Sequence, residues 1–438
     1  GAPSCAPMTA VRTPAKATPP ALLDPSNGAP VPIDEVRALL RGLDRRQRQA
    51  VTHGDGPLLV VAGPGTGKTE VITRRVAWLI ASRRARPSEI LALTFTERAA
   101  DEMQARVDLL VPYGQADTAI HTFHAFGDWL LREHGHAIGR ATDPRVIGRA
   151  AAMALLRDNV FTLGLDRYMP LGDPTRFVGA LVDLFGRAKE EGISPDELAD
   201  YAASLEAGAR AAVDGSADGA AREAVESLLD EAASTTELAA AYAAYQRLLA
   251  ERSLIDHGDQ VAEAVRLLLE RPAARAALRR RFRYVVVDEA QDANPQQLRL
   301  VRQLVGSSGN VAFVGDDDQA IYSFRGAVGQ GLAGLEDSYD RLKDVVLRRN
   351  YRSRKPILEA ARRLIRHNDP DRLEVQRGLD KTLTAVRRSR RPALVKHHAY
   401  GTAAEEADAV AAEIRRRIES GARPASIAVL TRTNADAA

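Results

Sequence analysis

With 438 residues, 45% of them hydrophobic and 27% charged, the chain carries enough apolar material for two or three packed domains. Its formal net charge of +3 is too small to argue for a polyanionic partner by itself. The single cysteine, Cys5, excludes a disulfide framework within the chain, and no apolar run approaches membrane-span length, so a cytoplasmic protein with no membrane partner is expected.

Residues 1–30 are rich in Pro and Ala with little hydrophobic periodicity and read as a disordered leader. From Leu43 an α/β alternation begins. Short apolar runs at Pro57–Val61, Ile90–Leu93, Tyr284–Val287 and Val311–Val314 have the character of buried parallel strands. Between them Ala99, Ala100, Met103, Val107 and Leu110 fall on one helix face. The segment 141–255 breaks this pattern, is rich in Ala, Leu, Glu and Arg, and predicts a mostly helical insertion. Residues 31–140 and 256–335 on either side of it then form one α/β domain. A second, incomplete α/β series is expected over 336–438, with strands at Val345–Leu347, Leu394–Val395 and Ile427–Leu430 and an amphipathic helix at Thr402–Gly421.

Two segments carry chemistry. Ala62-Gly-Pro-Gly-Thr-Gly-Lys-Thr69 follows an apolar run and opens a helical pattern, the context that separates a phosphate loop from a chance glycine cluster. Gly63, Gly65, Thr66 and Gly67 would cradle phosphates with backbone N–H groups, with Pro64 part of the same binding loop. Lys68 would reach the β- and γ-phosphates, and Thr69 would place its hydroxyl on Mg2+. Ala62 stands where the strict pattern has Gly, so the match is to a relaxed form. The second segment, Val285-Val-Val-Asp-Glu-Ala-Gln-Asp292, ends an apolar run in carboxylates, which places Asp288 and Glu289 at the carboxyl edge of a sheet. Asp288 is the candidate Mg2+ partner and Glu289 the candidate base for an attacking water.

These residues resemble the UvrD/Rep/PcrA group of superfamily 1 DNA helicases, and the resemblance runs from about Leu43 to Thr433 with its motifs in the family's order. It implies a RecA-like P-loop NTPase fold with a parallel sheet and a helical insertion, followed by an incomplete second RecA-like domain. It further implies ATP and Mg2+ as cofactors and single-stranded DNA and duplex–single-strand junctions as partners. Movement would be 3′ to 5′. In Leu43-Asp-Arg-Arg-Gln47 the resemblance gives Gln47 the adenine edge, and it gives Arg75 the adenine face. Leu93-Thr-Phe-Thr-Glu-Arg-Ala-Ala-Asp-Glu-Met103 and Thr118-Ala-Ile-His-Thr-Phe-His-Ala-Phe126 would line the DNA path. There Phe95, Phe123 and Phe126 offer rings to bases while Thr96, Thr122 and His124 hold phosphates, although at least one of the three phenylalanines is expected in the core.

Val314-Gly-Asp-Asp-Asp-Gln-Ala-Ile-Tyr-Ser-Phe-Arg-Gly326 resembles the motif that joins a hydrolysis sensor, Gln319, to DNA-facing Tyr322 and Phe324, with Arg325 tied to the catalytic carboxylates. In Arg349-Asn-Tyr-Arg-Ser353, Tyr351 would stack on adenine and Arg352 would reach the γ-phosphate across an interdomain cleft. The family's later motifs V and VI are not found before Ala438, so the chain is expected to be the N-terminal part of a longer helicase. The competing reading is a nucleotide-gated module that binds single-stranded DNA without turnover. A GTPase reading fits poorly, since no Asn-Lys-x-Asp signature is present. Arginine runs at Arg279–Arg283 and Arg387–Arg391 fit solvated surface as well as or better than a phosphate backbone, and the role of Ile255-Asp-His-Gly-Asp259 stays open.

Overall fold

The computed structural model describes residues 33–111, 117–141, 143–213, 219–321, 331–387 and 395–433. The leader, Tyr322, Phe324, Arg325 and most of the Arg387–Arg391 run lie outside these residues. In chain order the strands are β1 (Leu58–Ala62), β2 (Ile90–Thr94), β3 (Ala119–Thr122), β4 (Arg145–Ile147), β5 (Leu254–Asp256), β6 (Tyr284–Val287), β7 (Asn310–Gly315), β8 (Lys343–Leu347), β9 (Arg349–Asn350) and β10 (Thr384–Ala385). Six of them make one parallel sheet in the order β3-β2-β6-β7-β1-β8. β1, β2 and β6 are buried along their whole length, which is why they read as unbroken apolar runs rather than alternating ones.

Helices cover both faces. On one, Val71, Ile72, Val76 and Leu79 of the helix Lys68–Ala81 pack with Leu58, Val60, Ala92 and Val286. On the other, Phe126, Leu130, Val265, Leu268, Leu300 and Leu304 pack with Leu59, Leu93, Val285 and Phe313. At about 25 cal/mol per Å2 of apolar surface removed from water, this two-sided burial is the main force holding the sheet.

Two differences from the sequence expectation concern strands. Val345–Leu347, expected to open the second α/β series, belongs to β8, which pairs with β1 at the edge of the first sheet. Its alternating burial is that of an edge strand covered on one face, so its short apolar run carried no sign of which sheet it joins. Ile427–Leu430 forms no strand, and Val429 and Leu430 are exposed. The helix Ala403–Glu419 does form, capped by Thr402 through a reciprocal box with Glu405.

The segment between β4 and β5 is helical, with Arg149–Asp158, Val178–Glu191, Pro195–Val213 and Gly219–Glu251 as its α-helices. It has its own core around Leu156, Phe185, Tyr242, Tyr245 and Leu249. The short parallel pair β4–β5 closes its base, a pairing too brief to stand out in the sequence. Its junction with the main body includes a buried ion-pair cluster: the Lys189 ammonium lies 2.6 Å from Asp256 and 2.8 Å from Asp259, the two capping residues of the helix His257–Glu270. This gives Asp256 and Asp259 a structural role.

Candidate active site

The carboxyl ends of β1, β6 and β7 meet in a cleft of about 640 Å3. The first wall is the loop from β1 to the helix Lys68–Ala81. Gly65 (φ 75°) and Gly67 (φ 89°) adopt the left-handed region that favours glycine. A Cβ on Gly65 would stand 2.5 Å from the Cβ of Arg352, and one on Gly67 2.8 Å from Nε2 of Gln47. Both glycines are therefore demanded by conformation and by space. Gly67 caps the helix without a side-chain acceptor, leaving N-terminal N–H groups directed at the cleft. Thr66 is buried, its hydroxyl donating to the Gly63 carbonyl at 2.7 Å, so its side chain shapes the loop.

Lys68 and Thr69 line the cleft. Lys68 Nζ donates to Oε2 of Glu289 at 2.6 Å and lies 3.5 Å from Oε1 of Gln319. Glu289 and Gln319, assigned from two other motifs, thus converge on the Lys68 ammonium group. Glu289 holds φ at 47°, a strained conformation for a side chain of this size that costs on the order of 1–3 kcal/mol. Gln291, which the motif reading did not single out, donates from Nε2 to the same Oε2 at 2.8 Å and fixes its orientation. Asp288 accepts from the Glu289 N–H at 2.9 Å. Burial, reinforced by the neighbouring Glu289 charge, pushes the Asp288 carboxyl up to about 6.

The opposite wall comes from beyond β8. Asn350 donates to the Pro64 carbonyl and the Tyr351 N–H donates to the Gly65 carbonyl at 2.8 Å, pinning β9 against the phosphate loop. Tyr351 and Arg352 consequently line the cleft, and the Tyr351 hydroxyl donates to Asp44 at 3.0 Å. Asp44 in turn caps the helix Arg45–Val51 in a reciprocal box with Gln47. Gln47 also donates from Nε2 to the Thr66 carbonyl at 2.9 Å, so its amide braces the loop from within the cleft.

Arg75 departs from its assigned role. Its guanidinium is buried and donates to the carbonyls of Ala50 at 3.1 Å and His53 at 2.6 Å, closing the C-terminal end of the helix Arg45–Val51. Burial lowers its pKa to about 10. It does not line the cleft, whereas Arg74 does, held by Glu70. The two arginines are adjacent, and residue type alone gave no sign of which one faces the pocket.

The residues assigned to the DNA path divide. Thr96 and Thr122 are N-caps of the helices Glu97–Leu110 and Phe123–His134, at the carboxyl ends of β2 and β3. Thr122 is buried and its hydroxyl is engaged twice, accepting from Ala125 and donating to Glu97 at 2.8 Å. Phe123 and Phe126 are both in the core, so neither offers a ring to a base. Phe95 is half-buried. His124 is half-buried with its ring 6.1 Å from that of His257, and burial together with His257 lowers its pKa, favouring the neutral ring. Among the described residues no cluster of three or more His, Cys, Asp or Glu could hold a metal, and no helix is long and apolar enough to cross a membrane.

The family model of the UvrD/REP helicase N-terminal domain matches residues 43–340, and that of the UvrD-like helicase C-terminal domain matches residues 345–438. The chain belongs to the UvrD/REP helicase family. Similar proteins include the ATP-dependent DNA helicase PcrA of Leuconostoc citreum, 34% identical over 405 residues, covering 91% of this chain and 48% of the relative. PcrA of Staphylococcus epidermidis is 30% identical over 406 residues, covering 91% and 49% respectively. PcrA of Staphylococcus aureus is 30% identical over 400 residues with the same coverage. The chain spans about half the length of the curated relatives it matches. Within the UvrD/REP family frame, Lys68, Glu289, Gln319, Tyr351 and Arg352 occupy one cleft. Asn350, Gln291 and Asp44, which fix their orientations, have no signal in the sequence beyond their positions inside or beside the motifs.

Proposed function

We propose that this chain is the ATP-binding and hydrolysing part of a DNA helicase that translocates 3′ to 5′ on single-stranded DNA and loads at duplex–single-strand junctions. The observation that carries the reading is the convergence of Lys68, Glu289 and Gln319, with Arg352 on the facing wall of the same cleft. Such a set does little covalent chemistry. It positions a phosphoryl group and a water and stabilises the charge that develops between them. Lys68 and the N–H groups ahead of the helix Lys68–Ala81 hold the phosphates. Glu289 takes the proton of the attacking water, Gln319 orients it, and Arg352 meets the γ-phosphate from the second wall. Tyr351 and Gln47 flank the base-binding end, where Gln47 supplies an amide edge to adenine.

Thr69 and Asp288 would hold Mg2+, which supplies charge neutralisation between the phosphates. The fit lies in their chemistry: a hydroxyl in the cleft, and a carboxylate whose burial disfavours its charge until a cation is near. Phe95 and Thr96, with Tyr322 and Phe324, are the proposed DNA contacts. The motor domain that holds them runs through Leu347, interrupted by the helical insertion over 141–255. Family membership and the relatives' names as ATP-dependent DNA helicases support the DNA substrate; the direction of travel rests on the motif resemblance alone.

Phosphate release from ATP and Mg2+, with and without an oligo-dT single strand, tests the proposal. Release stimulated by DNA is the expected result. Equal release in both conditions would remove the DNA-coupled motor, and preferential turnover of GTP would remove the adenine assignment.

A further inference from the structure

Asp316, Asp317 and Asp318 follow β7 in succession, and a single lysine meets all three. Lys381 Nζ lies 2.8 Å from Asp316, 2.5 Å from Asp317 and 2.8 Å from Asp318, with its side chain 5% exposed. All three carboxylates lie within ion-pair distance of this one ammonium group, which donates a hydrogen bond to Asp317. Arg372 adds a bidentate contact to Asp318 at 2.6 and 2.8 Å, and the Leu373 N–H donates to Asp317 at 2.8 Å. Both basic residues lie far along the chain, beyond the helix Lys355–Ile365.

The buried Asp316 connects Lys381 to the cleft by two routes. Its Oδ2 accepts from Gln319 Nε2 at 2.8 Å, and Gln319 Oε1 faces Lys68. Its backbone N–H donates to Gln291 Oε1 at 3.0 Å, and Gln291 Nε2 donates to Glu289. The orientations of the water-orienting glutamine and of the base thus both depend on where Asp316 sits. The loop that delivers Lys381 is itself tied to the phosphate loop. Leu383 stands 3.1 Å from the Cβ that an alanine at Gly63 would carry, and β10 pairs with β9, whose Asn350 holds Pro64.

We propose that Lys381 is a positioning residue for ATP hydrolysis, holding Asp316 so that Gln319 and Glu289 face the γ-phosphate; this rests on the ATPase reading above. Without the ammonium, three adjacent carboxylates, one of them fully buried, repel one another. Asp316 then turns or takes up a proton, and Gln319 and Gln291 lose their common anchor. Lys381 touches neither phosphate nor adenine, so the loss falls on the chemical step and leaves nucleotide affinity in place.

The test is steady-state phosphate release by this chain with saturating oligo-dT over a range of ATP concentrations. It compares the unsubstituted chain with Lys381→Met, Asp316→Asn and the double variant, and thermal melting confirms folding. Lys381→Met and Asp316→Asn should each lower kcat about tenfold with KM within about twofold, a misplacement effect. The double variant should be no slower than the slower single one, because both substitutions cut the same link. An unchanged kcat, a rise in KM alone, or losses that multiply in the double variant would overturn the inference. If Lys381→Met does not fold, the near-isosteric Asp316→Asn decides: an unchanged kcat there overturns it as well. No release by the unsubstituted chain would instead sink the ATPase reading, and this inference with it. That failure is recognisable because it appears before any substitution is made.

Discussion

The nucleotide cleft and the ridge beside it occupy the same carboxyl edge of one sheet, yet their sequence motifs translate into structure very differently. At the ends of β1, β6 and β7, charged and amide side chains from motifs more than two hundred residues apart meet within hydrogen-bond distance. At the ends of β2 and β3, aromatic and hydroxyl residues of equally recognisable motifs turn inward. Phe123 and Phe126 enter the core and Thr122 caps its own helix. A buried lysine or glutamate must find a partner, so its motif predicts an encounter. A phenylalanine is equally satisfied by a base or by the core, and a threonine by a phosphate or by a helix N-terminus. Motif residues with one physical outlet are more legible than those with two.

Substitutions on the two sides should separate cleanly. The largest effect belongs to the cleft: Lys68→Ala should reduce phosphate release roughly 1000-fold at saturating ATP, by removing the charge that meets the γ-phosphate. A loss under tenfold would detach Lys68 from the chemistry. On the ridge, Phe126→Ala should cost about 3–5 kcal/mol of stability in chemical denaturation, as a core truncation. Phe95→Ala should leave the melting curve in place and weaken oligo-dT binding by about 1–3 kcal/mol in a fluorescence anisotropy titration. If the two phenylalanines behaved alike, the division of the ridge into core and surface would be wrong.

Arg75→Met should destabilise the fold by about 1–3 kcal/mol, since it strands the carbonyls that end the helix Arg45–Val51, and should leave the ATP-over-GTP preference unchanged. A lost preference with intact stability would return Arg75 to the adenine face.

The smallest effect is electrostatic. Asp288 titrates near 6 in the fold against an ordinary value of 3.8, so the folded state binds this proton more tightly than the unfolded chain does. Its contribution to stability is present at low pH and is lost as pH rises between these values. Asp288→Asn should therefore raise stability at pH 7.5 relative to pH 4.5 by no more than about 2 kcal/mol, measured without divalent cations. A relative loss at pH 7.5 would contradict the assigned direction.

The sequence carried the sheet well, because fully buried strands such as Tyr284–Val287 have no other reading as short β-rich apolar runs. It did not carry the membership of Val345–Leu347 in the first sheet. Strand order is decided by which neighbour closes the edge, a tertiary property absent from a local run. The cleft was legible down to Lys68, Glu289, Gln319, Tyr351 and Arg352. The residues that hold them were not: Asn350 and Lys381 act through distances of chain that no spacing rule encodes, and Gln291, beside Glu289 in the chain, shows its contact only once the backbone turns. Arg74 and Arg75 show the same limit at the scale of one residue, where helix rotation alone decides which guanidinium meets the pocket.

The central claim is that Glu289 serves hydrolysis within an intact nucleotide site. Its most direct test is Glu289→Gln, read in parallel by binding of a fluorescent ATP analogue and by DNA-stimulated phosphate release. The account predicts nucleotide affinity within about threefold of the unsubstituted chain and release lowered at least about 100-fold, the scale of a lost general base. Undiminished release from the variant would contradict it and move the base to another residue of the cleft.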